Sequence, residues 1–475
     1  MSMIRVLTIL AFATFLFLAP EVYAQEQLPF FQDQLVVDGF EVSGNKVTKE
    51  RIIIREMVFA LGDTISKMEL IPGLQRSKDN ILNTSLFNFV ILDVKHLPEN
   101  RIIIEIEVTE RWYIWPLPIL DYVERNFSEF IKHPEWDRLV YGAWLQWRNF
   151  RGLNDLLTAK VKLGYLNEYA LGYDLPNLGK KQQHGLATGV YLNHQNEVNV
   201  NTVNNRPVYI QPPQNPAQIR GNAFFRYIFR RKYYGTHNFR MDYNHFTVTD
   251  LVARVNPNYL GGGMTSTNYF TLLYEFSYDL RDSKIYPLEG FLIKLTAKQT
   301  GLNIVSSFPY SFLGLTGVLM YHQKLANRLY FYNTTKGRVT TEKRLPHIFN
   351  QALGYAEWLS AYEPYVIDGS DFFITRFDLK VQLVKPRNSI IPFIKMKQFN
   401  KIHYAVYLNG FADMGYVNNE FPGPTNTMVN RLQFSGGIGL DLVTYYDQVL
   451  RIDFAVNRYG EYGFFFHLNT PFFKW

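Results

Sequence analysis

The sequence of 475 residues contains no cysteine, which excludes disulfide bonds and thiolate metal sites and leaves the redox compartment undecided. Charged residues make up only 19% of the chain. The net charge is +7, but no basic run is long enough to indicate nucleic-acid binding, so we expect no nucleic-acid partner. Beyond the N-terminal segment no run of ~18 uninterrupted apolar residues occurs, which excludes a transmembrane helix there.

Motifs of catalytic and cofactor-binding proteins are also missing. No Gly-x-Ser-x-Gly nucleophile elbow is present. Histidines such as His245, His322 and His467 show no paired metal-ligand spacing. Gly261-Gly262-Gly263 precedes no helix-forming segment, which favours a flexible outer loop over a phosphate cradle. We therefore expect no enzymatic activity, no cofactor and no metal; a barrel lipase with a Ser/His pair that the sequence does not reveal is the alternative.

Aromatic residues, by contrast, are abundant: they make up 16% of the chain, which suits the aromatic girdles of a membrane β-barrel. At the N-terminus Arg5 precedes the apolar run Val6–Leu18, and Val22-Tyr23-Ala24 supplies small residues before a cleavage at Gln25. Residues 1–24 are therefore predicted to be a secretory signal peptide. An uncleaved anchor is the alternative, although the run is short for a span. An exported chain of this composition is periplasmic, secreted or an outer-membrane barrel.

Residues 25–114 predict a small α+β domain. Its expected elements are a strand at Gln34–Ser43, a helix capped by Thr48, a second helix near Ser66, and strands at Phe89–His96 and Arg101–Glu110. Ser66 and Glu69 have the spacing of a capping box. Pro72 does not fit a helix interior, so the second helix is expected to start at or after Pro72 or to kink there. A linker at 115–137 is expected to follow this domain.

From residue 138 onward, segments of the sequence alternate with a period of two. The clearest example pairs the mostly apolar set Phe373, Thr375, Phe377, Leu379, Val381 and Leu383 with the set Ile374, Arg376, Asp378, Lys380 and Gln382. Residues 433–442 and 450–457 repeat the pattern. Such alternation predicts strands with one apolar and one polar face. It does not decide between a soluble sandwich, which buries the apolar faces, and a membrane barrel, which exposes them to lipid.

Residues 138–475 can be divided into sixteen strands, the eleventh ending near Thr340, with fourteen or eighteen strands as the alternatives. In an outer-membrane barrel the links from odd to even strands lie outside and tend to be long, whereas those from even to odd strands lie inside and are short. This rule predicts outside links at 258–265, 341–371 and 415–430. It predicts inside links at 166–167, 197–204, 286–289, 385–401 and 458–460, of which the second and fourth are longer than the rule favours.

Motifs in the first domain resemble the POTRA domain, the periplasmic module of outer-membrane assembly and polypeptide-transport proteins. They are Val42-Ser43-Gly44-Asn45-Lys46-Val47-Thr48, Gly62-Asp63, Leu82-Asn83-Thr84-Ser85-Leu86-Phe87-Asn88 and Val108-Thr109-Glu110-Arg111-Trp112. An unrelated α+β module is the alternative. The resemblance implies a sheet with an open edge, to which an extended polypeptide can add as a further strand.

Motifs in the rest of the chain resemble the BamA/TamA family of outer-membrane assembly barrels, also called the bacterial surface antigen type. They are Tyr278-Asp279-Leu280-Arg281-Asp282, Tyr286-Pro287-Leu288-Glu289-Gly290, Trp147-Arg148-Asn149-Phe150-Arg151-Gly152, Phe411-Ala412-Asp413-Met414-Gly415 and Gly437-Ile438-Gly439-Leu440-Asp441. The resemblance implies a mainly β protein, a 16-stranded antiparallel transmembrane barrel preceded by one POTRA domain. It implies the outer membrane of a Gram-negative bacterium, with the POTRA domain in the periplasm. It also implies a weak seam between the first and last strands, where clients pair.

One loop departs from the family pattern. The family carries an Arg-Gly-Tyr or Arg-Gly-Phe triplet whose arginine enters the lumen and pairs with acids, but the matching positions here are Ser360-Ala361-Tyr362, followed by Glu363. Asp413 is a candidate acid partner that keeps its inward register. Three charged residues share that orientation on the neighbouring strand: Arg376, Asp378 and Lys380. We hypothesise that Arg376 or Lys380 pairs with Asp413, because a buried unpaired carboxylate is unfavourable; hydration of Asp413 in a wide lumen is the alternative.

Two functions are open at this point. The first is insertion of β-barrel proteins, or translocation of polypeptides across the outer membrane. Its partners would be the lipid bilayer, unfolded outer-membrane or exported polypeptides, and accessory periplasmic or outer-membrane proteins. The second is a passive channel, receptor or scaffold that has lost this activity, which the missing loop arginine and the single POTRA domain favour. The sequence does not identify a client.

Overall fold

The computed structural model describes residues 34–122 and 138–469, except 232, 305–306, 391, 393–394, 396–400 and 445–447. The predicted signal peptide at 1–24 lies outside the described residues, as does most of the predicted linker, 123–137. None of the helices within the described ranges is long and apolar enough to span a membrane.

The first part of the chain forms a four-stranded sheet with two helices. Its elements are β1 (Gln34–Ser43), α1 (Glu50–Ile54), β2 (Thr64–Ser66), α2 (Lys67–Leu82), β3 (Phe87–Leu97) and β4 (Arg101–Glu110). The strands lie in the order β2-β1-β4-β3, with β1 parallel to β4 and the other pairs antiparallel. The predicted order of strand, helix, helix, strand and strand is present, with the short β2 added at an edge.

Helix α2 begins where the capping box predicts. The Ser66 side chain accepts a hydrogen bond from the Glu69 backbone N–H, and the Glu69 side chain accepts one from the Ser66 backbone N–H. The helix starts at Lys67 and contains Pro72, so the prediction of a start at or after Pro72 is wrong. The capping box fixes the first turn at Ser66, so Pro72, which cannot donate a backbone hydrogen bond, lies inside the helix rather than at its start.

The core of this domain is apolar. It contains the fully buried side chains Leu35, Val37, Ile52, Ile53, Ile81, Phe87, Ile102, Ile104 and Ile106. These residues come from both helices and from β1, β3 and β4, because alternation along the strands turns every second side chain toward the helices. The first domain therefore has the interior of a water-soluble protein.

The rest of the chain is almost entirely strand. Its elements are β5 (Ile114–Tyr122), β6 (Leu139–Arg148), β7 (Leu156–Gly164), β8 (Leu166–Leu178), β9 (His184–Gln195), β10 (Val198–Val203), β11 (Arg206–Ile210), β12 (Gln218–Arg231), β13 (Gly235–Val248), α3 (Asp250–Val255), β14 (Ser266–Asp279), β15 (Gly290–Thr300), β16 (Phe312–Ala326), β17 (Leu329–Thr340), a 3₁₀ helix (His347–Phe349), β18 (Gln351–Leu353), β19 (Ile367–Asp368), β20 (Asp371–Ile390), β21 (Lys401–Asn418), β22 (Gln433–Thr444), β23 (Gln448–Asn457) and β24 (Tyr462–Asn469).

Sixteen of these strands form one antiparallel sheet in which neighbours in sequence are neighbours in space. Two hairpins, β10–β11 and β18–β19, lie outside this order and belong to the connections. The sheet starts with β5, so residues 114–122 belong to it, and the predicted linker at 115–137 is wrong for this part. Residues 138 onward contribute the other fifteen strands. Proline is normally evidence against a strand, but an edge strand such as β5 tolerates Pro116 and Pro118.

Burial in this sheet is inverted relative to the first domain. Along β20, Leu379 is 50% exposed, whereas Asp378 is 1% exposed, and Lys380 and Gln382 are also buried. In β22, Ile438 and Leu440 are exposed while Asp441 is fully buried. The alternation left open a soluble sandwich or a membrane barrel, and this arrangement selects the barrel, because only lipid makes an apolar outer surface favourable.

The connections at the two ends of the sheet differ. Links after β6, β8, β12 and β14 contact the first domain, for example through Asn83 Nδ2, which donates to the Asp282 carbonyl at 3.0 Å. We call this the domain end and the opposite one the loop end. The link at 286–289 lies at the domain end, as do Ile390 of β20 and Lys401 of β21, which border the predicted link at 385–401. The links at 258–265, 341–371 and 415–430 lie together at the loop end, so these two predicted groups are separated.

Three link assignments were wrong. The sequence predicts the links at 166–167, 197–204 and 458–460 in the inside group, but they lie at the loop end. For 166–167 and 197–204 the cause is the missed strand β5, which shifts the parity of the early strands, together with the β10–β11 hairpin, which is an excursion within one link rather than part of the wall. The link at 458–460 is tight although it lies at the loop end, so link length alone does not identify the side.

Candidate functional site

The long connection 341–370 folds over the inner face of the sheet. Leu359, Tyr362 and Ile367 pack with Phe372 of β20 and Val417 of β21 in a buried apolar cluster. Ser360 and Ala361 are buried with them. This connection is therefore held inside the barrel rather than projecting away from it.

Ser360 binds Asp413. Its backbone N–H donates to Asp413 Oδ2 at 3.0 Å, and its hydroxyl donates to the same oxygen at 2.6 Å. The Arg376 guanidinium donates to Ser360 Oγ at 3.2 Å, and Arg376 Nε lies 3.7 Å from Asp413 Oδ1. Of the two cations considered for Asp413, the structure brings Arg376 to it. The guanidinium thus comes from a strand of the wall, whereas the family pattern has it on the loop.

Arg376 is the centre of what we call the lumen cluster, formed by Ser360, Arg376, Asp378, Asp413 and Asp453. Its Nε donates to Asp378 Oδ2 at 3.0 Å, and its Nη2 lies 3.9 Å from Asp453 Oδ2. The guanidinium carbon also lies 4.0 Å from the centre of the Phe411 ring. One cation therefore faces three buried carboxylates, an arrangement that depends on its charge and its planar shape.

Lys380 points to a different group of residues. Its Nζ lies 4.2 Å from the centre of the Tyr286 ring. The Tyr286 hydroxyl donates to Asp441 Oδ2 at 2.7 Å, and Arg451 forms two hydrogen bonds with the same carboxylate, at 2.6 and 2.8 Å. Because Tyr286 belongs to the domain end, this group links that end to the interior, beneath the lumen cluster.

Four residues of this region are not predicted from the sequence to belong to the site: Tyr286, Asp441, Arg451 and Asp453. Asp441, Arg451 and Asp453 were visible as the polar positions of alternating strands, which is the signal that would have placed them on the inner face. Glu363, Arg376, Lys380 and Arg451 line one cavity of about 370 Å³. Glu363 therefore shares a cavity with the cations, although its carboxylate is not part of the lumen cluster.

Ala361 has an unusual backbone conformation. Its φ is +61°, in the left-handed region that glycine adopts freely and alanine does not. The Asn457 side-chain amide donates to the Ala361 carbonyl at 2.8 Å, and the Tyr362 hydroxyl donates to the Phe434 carbonyl at 3.1 Å. These contacts to β22 and β23 hold the loop in its strained conformation, at the position where the family triplet has glycine.

A second connection crosses the loop end. The tip of the β10–β11 hairpin inserts Asn205, whose backbone N–H donates to Asn426 Oδ1 at 2.9 Å and whose Oδ1 accepts from the Met428 N–H at 3.0 Å. The Val366 N–H donates to the Asn205 carbonyl at 2.9 Å. Connections that leave the wall at three separate places therefore meet at one residue.

The first domain is fastened to the barrel by a buried ion pair. Arg230, at the end of β12, forms two hydrogen bonds of 2.8 Å with the Glu56 carboxylate. Burial raises the pKa of Glu56, but Arg230 and Arg55 outweigh burial and hold that pKa below its ordinary value. Arg55 also donates to Asn177 Oδ1 at 2.6 Å. The docked domain thus depends on an ionised Glu56.

The sheet has two edges with no partner strand in the part of the chain that the structure describes. They belong to β5, which pairs with β6, and to β24, which pairs with β23. The side chains of Leu120 on β5 and of Phe464 and Phe466 on β24 are 70% exposed or more. Within the described ranges, β5 and β24 therefore do not pair with each other where a barrel would close.

Comparison with known proteins gives the fold. No protein-family model and no curated protein sequence matches this chain. Among solved structures, BamA from Haemophilus ducreyi lacking POTRA domains 1-3 matches with a TM-score of 0.51 and 15% identity, over 91% of this chain and 84% of that chain. CdiB from Escherichia coli matches with a TM-score of 0.55 and 10% identity, over 91% of this chain and 76% of that one. The chain therefore has the fold of a BamA-like outer-membrane β-barrel.

Proposed function

We propose that this protein inserts β-barrel proteins into the outer membrane or passes polypeptides across it. The observation that carries the proposal is the pair of edges, β5 and β24, which lack a partner strand among the described residues of a sheet whose outer surface is apolar. Unpaired strand edges are unfavourable in lipid, so an edge of this kind is a template for an incoming strand. The pairing and burial of the client would supply the free energy, and no cofactor is required.

The first domain would act as the docking surface and take the role of a POTRA domain in the periplasm. Its order β2-β1-β4-β3 leaves the eleven-residue strand β3 at an edge. Edge strands bind extended peptides through backbone hydrogen bonds with little demand on sequence. The Glu56–Arg230 pair would keep this surface at the domain end, where a client arriving from the periplasm meets the barrel. Accessory periplasmic or outer-membrane proteins would use the same edge.

The lumen cluster bears on the alternative of a passive channel, receptor or scaffold. That alternative was favoured by the absence of a loop arginine, but Arg376 places a guanidinium beside Asp413 from the wall. The loop 341–370 and the β10–β11 hairpin also occupy the loop end. A plugged barrel is expected to show brief, irregular openings in planar bilayers, whereas a passive channel would show steady conductance.

The test is depletion of the protein in the bacterium that produces it, followed by quantitative comparison of the outer-membrane proteins. A fall in many barrel proteins would support a general assembly role, and loss of one or two exported proteins would support a dedicated transporter. Re-expression of the wild-type chain should restore the membrane. An unchanged outer membrane would contradict the proposal and favour the channel or scaffold.

A further inference from the structure

The backbone of β5 has a defined orientation at the open edge. The Arg148 N–H donates to the Tyr113 carbonyl at 2.8 Å, in the register that continues along β5 and β6. Residues of an antiparallel strand alternate between those that bond a given neighbour and those whose backbone groups point away from it. Odd-numbered residues of β5 therefore bond β6. The even-numbered ones, which include Pro116 and Pro118, face the open edge.

Both prolines lack the N–H that a partner strand would accept from. The backbone N–H donors on this edge are those of Ile114, Leu120 and Tyr122. Among the backbone acceptors, the Ile114 carbonyl already accepts a hydrogen bond from the Trp112 indole N–H. A strand laid along β5 would leave two of its carbonyls without donors in the middle of the pairing. Such unpaired groups are strongly unfavourable in an apolar environment.

The β24 edge has no such gap. The Asn457 N–H donates to the Glu461 carbonyl at 2.9 Å, in the register that continues along β23 and β24. By the same alternation, four even-numbered residues present their backbone N–H and C=O groups to the open side: Tyr462, Phe464, Phe466 and Leu468. None is proline. Phe464 is 70% exposed, compared with 36% for Phe454 on β23, because no second neighbouring strand covers it in the part of the chain that the structure describes.

We propose that an extended client segment adds to the edge of β24, and not to the edge of β5. This inference rests on the proposed function. The segment would have no proline at the positions that face β24, and its lipid-facing side chains would be apolar, to extend the exposed row of Tyr462, Phe464 and Phe466. The competing occupants of this edge are β5 itself and the β24 edge of a second copy.

The test uses cysteine cross-linking, for which a chain without cysteine is well suited. Three full-length variants, Phe466→Cys, Leu120→Cys and Phe454→Cys, are reconstituted in dilauroylphosphatidylcholine liposomes. The probe is a urea-denatured eight-stranded outer-membrane barrel with one cysteine in its last strand. We expect at least tenfold more disulfide-linked probe with Phe466→Cys than with Leu120→Cys, and only background with Phe454→Cys, which lies on a strand paired on both sides.

Two further changes address the backbone donors directly. Phe464→Pro in the Phe466→Cys background removes one donor from the β24 edge and should lower the adduct severalfold, whereas Phe464→Val keeps the N–H and should not. Pro116→Val with Pro118→Val in the Leu120→Cys background restores both donors to β5 and should raise the adduct on β5 at least fivefold. Heat-dependent gel migration checks that each variant is folded.

The rate at which the probe becomes protease-protected separates this inference from the proposed function. One outcome is that the protein speeds insertion relative to protein-free liposomes while more adduct forms with Leu120→Cys than with Phe466→Cys. That result would overturn the inference and leave the proposed function standing. Adducts of the Phe466→Cys variant with a second copy of itself would also overturn it. Complete cross-linking within a chain that carries both Phe466→Cys and Leu120→Cys, without any probe adduct, would do the same. If the protein neither speeds insertion nor forms any adduct with the probe, both the inference and the proposed function are wrong.

Discussion

The first domain and the barrel use the same alternating pattern with opposite orientations. In β4, Ile102, Ile104 and Ile106 are buried, whereas Glu105 and Glu107 are exposed. In β20, Asp378 and Lys380 are buried, whereas the alternate apolar residues Phe377, Leu379 and Val381 are exposed. The difference shows that alternation specifies a two-faced strand, whereas the solvent decides which face becomes the interior. The stability of the barrel should accordingly depend on polar contacts where the first domain depends on apolar packing.

The largest effect is expected from Arg376→Gln. This change leaves Asp378, Asp413 and Asp453 without their common cation, and removing one partner of a buried ion pair costs about 3–5 kcal/mol. Unfolding of the barrel by guanidinium chloride in detergent micelles measures the loss in the free energy of unfolding. Ser360→Arg alone should also destabilise, because the new cation would approach Arg376, but Ser360→Arg combined with Arg376→Gln should recover most of the stability. Failure of this double variant to recover would mean that the position of the cation matters more than its presence.

The matching change in the first domain is Ile104→Ala, with an expected loss of about 2–5 kcal/mol from transfer and cavity effects. Loss of near-ultraviolet circular dichroism in urea would report it. Leu379→Ala on the outer face of the barrel is the control and should cost less than ~1 kcal/mol in micelles, because detergent fills the space. Equal losses at the two positions would contradict the inverted interior.

An intermediate effect is expected where the two regions meet. Arg230→Gln removes the charged hydrogen bonds between the guanidinium and the Glu56 carboxylate. A hydrogen bond to a charged group contributes about 1.5–3 kcal/mol to stability. Because the folded-state pKa of Glu56 is lowered, the contribution of this pair is present above the ordinary carboxyl pKa of about 4.3 and is lost as the pH falls through the lowered value. Spin labels at Met68→Cys and Leu325→Cys would show the domain moving away in acid. In Glu56→Gln the interlabel distance should not depend on pH.

The smallest effect is expected from Ala361→Gly. Relief of the left-handed backbone favours glycine by about 1–2 kcal/mol, and the greater freedom of unfolded glycine offsets about 0.5–1 kcal/mol of this. The net gain should be at most ~1 kcal/mol in the same guanidinium experiment. Ala352→Gly, at a buried strand position in the same loop, should destabilise instead. A loss of stability in Ala361→Gly would show that the conformation at 361 is not strained.

Much of the architecture could be predicted from the sequence, because period-two alternation is a direct consequence of strand geometry. The capping box at Ser66 located a helix start for the same reason: it is local chemistry. Strand β5 was missed because proline is normally evidence against a strand, and only the sheet order reveals that β5 is an edge. The wrong assignments of the links at 166–167 and 197–204 followed from that omission, since one strand changes the parity of the strands after it, whereas 458–460 was misplaced because it is short.

Only part of the site could be predicted from the sequence. Arg376 and Asp413 could be paired because they share an inward register on adjacent strands, and adjacency follows from sequence order. Asp453 and Tyr286 lie far along the chain from Arg376 and Lys380, so their contacts depend on how the wall curves and how a link folds inward. Neither property is encoded in a local pattern. The bidentate contact of Glu56 with Arg230 is similar, because it depends on how two separately folded units dock.

The contacts of Asn205 also restrict how this protein can change during evolution. Surface connections usually accept insertions and deletions independently of one another. Here a change of length in the hairpin would move Asn205 away from Val366, Asn426 and Met428 together, so a tolerated change in one connection requires compensating changes in two others. In related sequences these three connections should therefore vary in length as a set, while tight links such as 458–460 vary alone.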